Sequence, residues 1–406
     1  MRLFNTLLFV LFALSANAAD GTVGTVSVQK GNNVSVNGEA PLSLTLDGKD
    51  HQSCQFLSKR APDESHEFTW KEVTTTRGGE LAEMLGDQLR SIDSLVVKGY
   101  VNDKDFHAMW DASLYGYLSV INLKNAVLEN NAVPDTAFFH ENEQYEGSSH
   151  EIFYYIGLRK IILPEGLEKI GEGAFYQASA LRQVNFPSTL RYIGDFAFNA
   201  TKLEMNQLVI PEGVEEINQY AFAFCRKLKA QVTLPSTIKK IGEWAFYGCP
   251  ITSINLPEGL ESLGSLAFWD CDLREVSIPS SCHEFNEGWQ FGFNRNLEKM
   301  HLPEGMTEIP DHFAVDCFRL REVNFPHTLK HIGEKAFSLC ISLKNVDLPL
   351  GMQSLGEEAF SELEALEQIV FPASMKSLGK NSCSYWKNIK RIYCAAMEPP
   401  VCDPTD

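Results

Sequence analysis

The stretch Leu320 to Ser342, "LREVNFPHTLKHIGEKAFSLCIS", returns as "LRQVNFPSTLRYIGDFAFNATK" at Leu181 to Lys202 and as "LRKIILPEGLEKIGEGAFYQASA" at Leu158 to Ala180. Anchoring on the proline extends the alignment to Pro164, Pro187, Pro211, Pro235, Pro257, Pro279, Pro303, Pro326, Pro349 and Pro372, with gaps of 23, 24, 24, 22, 22, 24, 23, 23 and 23 residues. A period this regular predicts a solenoid in which each unit packs only on its neighbours.

Within a unit the residues six, three and one before the proline are apolar, as in Leu181, Val184, Phe186 and in Leu343, Val346, Leu348. That spacing predicts a short strand, and stacking the units predicts one parallel sheet. Proline ends each strand because it has no N–H for the ladder. A turn follows, "EG" or "ST", then an apolar residue three after the proline (Leu167, Leu190, Val214). The next pair is Ile-Gly, as in Ile170-Gly171 and Ile241-Gly242, with Asn218 once in place of glycine. Glycine and asparagine tolerate positive φ, so the pair predicts a left-handed corner. Finally Ala-Phe, as in Ala174-Phe175 and Ala336-Phe337, predicts one phenylalanine per coil stacked into a buried ladder.

Weaker units at Ile92 to Val97, Leu118 to Leu123 and Ile389 to Cys394 lengthen the array to about thirteen strands, roughly 60 Å at ~4.8 Å per strand. Leu81, Leu85 and Leu89 recur every fourth residue and predict a helix capping the open N-terminal end. The expected organisation is a signal peptide at 1–19, a β-rich leader at 20–76 containing "TVSVQ" and "LSLTL", an N-terminal cap with degenerate repeats at 77–157, the repeat array at 158–394 and a tail at 395–406. The signal peptide is read from Arg2, the apolar run Leu3 to Leu14 and the small residues Ala16 and Ala18. No later run approaches the ~20 apolar residues of a membrane span, and no cysteine follows the apolar run to carry a lipoprotein anchor. The expectation is a secreted, cell-surface or periplasmic protein with no transmembrane segment in the mature chain.

The chain has 406 residues, 44% hydrophobic and 22% charged, which fits a folded protein, and its formal charge of −18 argues against nucleic acid as a partner. Cys225, Cys249, Cys271, Cys317 and Cys340 each lie fourteen residues after a proline and read as packing thiols. Cys394 and Cys402 are the candidate disulfide; Cys54, Cys282 and Cys383 have no assignment.

The unit L-x-x-I-x-L-P-x-x-L-x-x-I-G-x-x-A-F-x-x-C resembles the BspA-like leucine-rich repeats of secreted and surface proteins of Bacteroidetes and some mucosal protists. The resemblance is close over Leu158 to Cys394 and loose over Leu81 to Leu123, and "MEPP" at Met397 to Pro400 resembles the closing of such arrays. It implies a right-handed leucine-rich repeat solenoid, mainly β, with roles in adhesion or protein recognition, and it brings no catalytic residues and no cofactor. Members of that family often continue into further modules.

No G-x-x-x-x-G-K-S/T, H-E-x-x-H, G-x-S-x-G or paired C-x-x-C occurs, so no enzyme, cofactor or metal site is expected. His327 and His331 have helical spacing but fall in a turn and a coil edge, and "LPSTI" at Leu234 is a repeat turn. Asn33 and Asn199 begin formal glycosylation sequons. The informative surface is the sheet face, built by residues five, four and two before each proline. Seven basic against five acidic residues leave it near +2, and the acidity falls in turns such as Glu165, Glu212 and Glu258. Ligand-binding candidates on this face are Arg159, Arg182, Asn185, Gln207, Gln231, Asn255, Arg274, His301, Arg321, Asn324 and Lys344. Secondary candidates are Trp289 and Phe293, where the Pro279 unit reads "FNEGWQF" in place of the regular pattern. Such an interruption either re-aims a loop or preserves the same buried volume. The face reads as a docking surface for a protein or glycoprotein; the alternative is a structural or assembly component of a bacterial envelope complex.

Overall fold

The computed structural model describes residues 66–139 and 156–402, together with the strand segments 24–29, 33–38 and 44–45. The signal-peptide assignment lies outside the described residues. In the leader segment, strand Gly24–Gln29 pairs antiparallel with Asn33–Gly38 and parallel with Leu44–Thr45.

The repeat forms a three-sided solenoid. Its first side carries the strands expected before each proline, such as Gln207–Val209, Gln231–Thr233 and Ser253–Asn255, all parallel. This series starts earlier than the sequence reading has it. Trp70–Thr75, placed there in the leader, pairs parallel with Ser94–Val101 and so begins the solenoid. Among the described residues the first side counts fourteen strands, from Trp70–Thr75 to Arg391–Cys394.

The second side was not anticipated as a sheet. Two-residue strands centred on the Ile of the Ile-Gly pair, such as Lys169–Ile170, Tyr192–Ile193 and Lys240–Ile241, stack in parallel from Ala132–Val133 to Glu284–Phe285 and again from Glu308–Ile309 to Val401–Cys402. The glycine after each strand is not left-handed, which corrects the corner placed there. Its N–H bonds the preceding coil, Gly194 to Ile170 O at 2.9 Å and Gly264 to Ile241 O at 2.8 Å. A Cβ on Gly264 would stand 2.4 Å from the Glu243 nitrogen, so close backbone approach is what requires glycine. At Asn218 the side-chain Nδ2 donates to Ile193 O at 2.6 Å. Pro310 occupies the same position with no N–H to give, and there the second sheet divides.

In the units from Pro164 on, apart from glycines two after alternate prolines, the left-handed residues lie on the third side, nine and thirteen after the proline in every unit but the irregular one at Pro279. Phe196, Tyr220 and Trp244 have φ of 56°, 56° and 59°, and Ala200 and Phe224 have 59° and 61°. Such a conformation costs a side-chain-bearing residue ~1–2 kcal/mol. It turns alternate N–H groups toward the next coil, Phe196 to Gln219 O at 2.9 Å, Phe198 to Ala221 O at 2.8 Å and Ala200 to Ala223 O at 2.9 Å. Those bonds offset the strain at every coil.

The core between the sides is the phenylalanine ladder. From Phe138 through Phe175, Phe198, Phe222, Phe246 and Phe268 to Phe291, successive ring centroids are 5.2–5.6 Å apart and within 12° of parallel. The run breaks at Phe313, which meets Phe291 at 76°. There the order is Phe313-Ala314, so the ring starts one residue early. Fourteen after the proline stands a donor column. Cys225, Cys249 and Cys271 point Sγ at Phe198 O, Phe222 O and Phe246 O at 3.2, 2.9 and 3.3 Å, and Trp386 Nε1 reaches Phe360 O at 2.7 Å. These thiols pack as expected, and each is a further donor to a carbonyl that already accepts a backbone N–H, from Thr201, Cys225 and Cys249 respectively.

Adjacent coils are joined in pairs. The residue two after the proline alternates without exception between glycine and a hydroxyl residue: Gly166, Thr189, Gly213, Thr237, Gly259, Ser281, Gly305, Thr328, Gly351, Ser374. Thr189 Oγ1 accepts from Gly166 N–H at 2.9 Å and donates to Leu167 O at 2.7 Å, while Glu165 accepts from Ser188 N–H and Oγ at 3.1 and 3.0 Å. Glu212, Ser236, Gly213 and Thr237 repeat the arrangement. Several turn carboxylates thus accept hydrogen bonds from the following coil.

The N-terminal end is capped by Leu81–Leu85, which Gly86 at φ 49° breaks into a 3-10 turn, and by the helix Asp103–Tyr115, which the sequence reading did not place. Asn102 and Asp105 form its capping box. Buried Asp105 also accepts from Gly79 N–H at 2.6 Å and Leu81 N–H at 2.9 Å, tying the helix to the first coil. Phe106 meets Phe138 edge-on at 6.0 Å and closes the ladder.

Candidate recognition surface

Outward side chains of the first side stand in register, Gln231 between Gln207 and Ser253, and Lys299 between Glu275 and Glu322. The sequence candidates therefore share one face, but they are not equally available. Arg182 Nη1 lies 2.7 Å from Glu204, Lys299 lies 3.3 Å from Glu322, His301 Nε2 lies 3.2 Å from Glu275, and Arg321 is paired with Glu298. Glu204 falls seven before its proline and so outside the aligned columns. Its N–H bonds Arg182 O at 2.9 Å, which brings it onto the face.

Asn185 and Asn324 are engaged with backbone. Asn185 Oδ1 accepts from Leu163 N–H at 2.7 Å and its Nδ2 donates to Leu163 O at 3.0 Å; Asn324 holds Leu302 in the same way at 2.9 and 3.0 Å. Both side chains staple coils together. Arg159, Arg274 and Lys344 form no ion pair among the described residues, and the amides of Gln207, Gln231 and Asn255 have no hydrogen-bond partner there. Six of the eleven candidates thus remain free to meet a ligand.

Trp289 and Phe293 are half-buried and do not form a re-aimed loop. Trp289 stacks on His312 with centroids 3.6 Å apart, and Phe293 packs against Trp269 at 4.4 Å. The irregular unit keeps its core, because Phe291 moves one place along the chain and still stacks on Phe268 at 5.6 Å. Burial and the neighbouring Lys335 hold the His312 imidazole below its usual pKa against an opposing pull from Glu334, and its buried Nδ1 has no hydrogen-bond partner among the described residues.

Burial pushes the Cys249, Cys271 and Cys340 thiols well up and Cys317 to about 12, as for inert packing groups. Cys394 and Cys402, expected to be bonded, stand as two exposed free thiols at the ends of different sheets. His327 binds Glu304 at 3.1 Å and His331 binds Ser354 at 2.7 Å, each separately. Asn199 is buried, so that sequon offers no glycan acceptor in the folded chain.

Parallel strand columns, a phenylalanine ladder and a repeated proline turn define a leucine-rich repeat solenoid. The chain belongs to the BspA type leucine rich repeat region family, whose profile matches six copies over residues 148–231, 230–337 and 312–397. In structure it is similar to a leucine-rich repeat protein from Bacteroides ovatus, at 21% identity and a TM-score of 0.55, covering 82% of this chain and 92% of that one. Weaker likeness extends to a leucine rich cell surface protein from Faecalibacterium prausnitzii, at 21% identity and TM-score 0.37 over 66% of this chain and 83% of that one. A T. pallidum leucine rich repeat protein is similar at 29% identity and TM-score 0.36 over 39% of this chain and 77% of that one. No curated protein matches the chain in sequence. Among the described residues no helix is long and apolar enough to cross a membrane, and no group of His, Cys, Asp and Glu is placed to hold a metal ion.

Proposed function

We propose that this protein is an exported binding protein that recognises a protein or glycoprotein through the outer face of its first sheet. The observation that carries the reading is the exposed, in-register strand face on which Arg159, Arg274, Lys344, Gln207, Gln231 and Asn255 are unpaired among the described residues, while most neighbouring charges neutralise one another. A long rigid surface with unsatisfied donors and acceptors suits recognition of an extended partner. Host adhesion is the form of this function that a signal peptide and a bacterial surface repeat support.

The test is capture of the purified chain on immobilised extracellular matrix glycoproteins, mucin and envelope extract at low and high salt. Saturable capture by a foreign glycoprotein, weakened by reversing Arg159, Arg274 and Lys344 together, supports the reading; capture unchanged by that triple reversal removes the face from it. A role in envelope assembly is favoured by the C-terminal end, where Ile392, Tyr393 and Val401 are exposed on the last strands. Capture by envelope extract alone would select that second reading.

A further inference from the structure

The strands Gln207–Val209, Gln231–Thr233 and Ser253–Asn255 form a separate three-stranded sheet within the first side. Its outward residues make two columns, Gln207, Gln231, Ser253 and Val209, Thr233, Asn255, all exposed and none charged. In a chain of formal charge −18 this is an uncharged field, bordered by the Arg182–Glu204 pair on one side and by Arg274 and Glu275 on the other. We infer that this sheet is the binding site for a neutral, hydroxyl-rich glycan chain. The inference rests on reading the first side as the recognition face, and it assigns the ligand class and the place.

Three features select that ligand. The first is charge: within the field a polyanion would find no cation and a polycation no carboxylate to pair with. The second is hydrogen bonding. The amides of Gln207, Gln231 and Asn255 each offer both donors and an acceptor and are bound to nothing else among the described residues. A hydroxyl group, itself donor and acceptor, matches an amide in either orientation. The third is the mixed character of the field. Val209 is 54% exposed and lies directly opposite Thr233, giving an apolar corner beside the amides of Gln207 and Gln231. A sugar ring has the same division, with C–H groups on its faces and hydroxyls around its edge. A polypeptide would instead present side chains of varied charge to a surface with no charge to match them. The field spans roughly 10 Å in each direction, from three strands at ~4.8 Å and three to four residues at ~3.3 Å, a footprint of a few sugar units.

The experiment titrates the full chain against immobilised linear neutral hexose oligosaccharides and against sialylated forms of the same chains. Gln231→Glu and Gln207→Glu, which keep size and add charge, are compared with Arg321→Glu outside the field. Thermal midpoints report whether each variant remains folded. The expected result is saturable binding of neutral chains, weaker binding of sialylated ones, a loss of about tenfold or more in either glutamine variant, and no change in Arg321→Glu. Neutral-chain binding that is absent, or that ignores both glutamine variants, overturns the inference. A glycoprotein ligand tested before and after enzymatic deglycosylation separates this from the broader reading. Capture that survives deglycosylation and still falls with Gln231→Glu makes the field a polypeptide site, refuting the glycan assignment while the recognition face stands. Capture insensitive to every variant on the face refutes both.

Discussion

Gly171 and Gly173 lie two residues apart in one coil, the first in close contact with the preceding coil's backbone and the second with a left-handed φ, so replacing each by alanine tests how the coils are held together. Gly171 lacks positive φ, but a Cβ there would fall 2.5 Å from the Asp135 nitrogen and 2.6 Å from the Pro134 carbonyl carbon. These are backbone atoms of the preceding coil, so no rotamer change relieves the clash. The cost falls toward the upper end of the ~1–3 kcal/mol typical of overpacking. Separating the coils also weakens the 2.9 Å bond from Gly171 N–H to Val133 O, worth about 1 kcal/mol more. Gly171→Ala should therefore destabilise by about 3–4 kcal/mol. Gly173 has φ 57° and its nearest would-be contact is 3.6 Å away, while Phe196, Tyr220 and Trp244 hold the equivalent position in other coils. Gly173→Ala should cost only about 1 kcal/mol of left-handed strain. Urea unfolding followed by circular dichroism, with both variants under one condition, reads the two shifts in midpoint. If Gly173→Ala proves the more damaging, the glycine is a conformational requirement of the corner and the close-approach argument fails.

Removing one ring from the ladder, Phe246→Ala, should cost about 3–5 kcal/mol in the same unfolding assay, because Phe246 is fully buried between Phe222 at 5.3 Å and Phe268 at 5.6 Å. A thiol reagent applied to the folded protein should modify Cys394 and Cys402 and leave Cys225, Cys249, Cys271, Cys317 and Cys340 unmodified until denaturant is added; peptide mapping of the labelled sites checks this. His312 supplies a pH dependence. Its folded pKa is depressed, mainly by burial, so below the unfolded value of about 6.5 the unfolded chain binds more protons than the folded one. Its contribution is intact above that pH and falls as pH drops from there toward the folded pKa. His312→Phe should flatten the fall of thermal midpoint with acidification, and an unchanged profile would exclude His312 as a source. Breaking the exposed Arg182–Glu204 pair with Arg182→Glu should shift stability by no more than about 1 kcal/mol in a thermal melt.

Several site residues were legible as sequence columns but not as chemistry. Counting back from proline puts Gln207, Gln231 and Asn255 on one face because a strand has a period of two, and the structure places them there in register. The same count puts Asn185 and Asn324 beside them, yet their amides bind Leu163 and Leu302 of the preceding coil. Column position fixes which way a side chain points, whereas its partner depends on the backbone of another unit. Glu204 escaped the count because the 24-residue gap from Pro187 to Pro211 shifts it away from the aligned position, and the correction comes only from its bond to Arg182 O. Helix Asp103–Tyr115 had a local signal in Asn102 and Asp105, three residues apart, which the repeat pattern overshadowed.

The sequence alone determined the period, the strand before each proline, the phenylalanine ladder and the burial of the five repeat cysteines, because each follows from spacing and hydrophobicity within one unit. Only the tertiary structure decided why the Ile-Gly glycine is needed, where the left-handed residues fall, that coils join in pairs, and which face residues stay free. Those properties depend on distances between consecutive coils, and a distance of 2.4 Å from an imagined Gly264 Cβ to the Glu243 nitrogen exists only once one coil has been laid on the next.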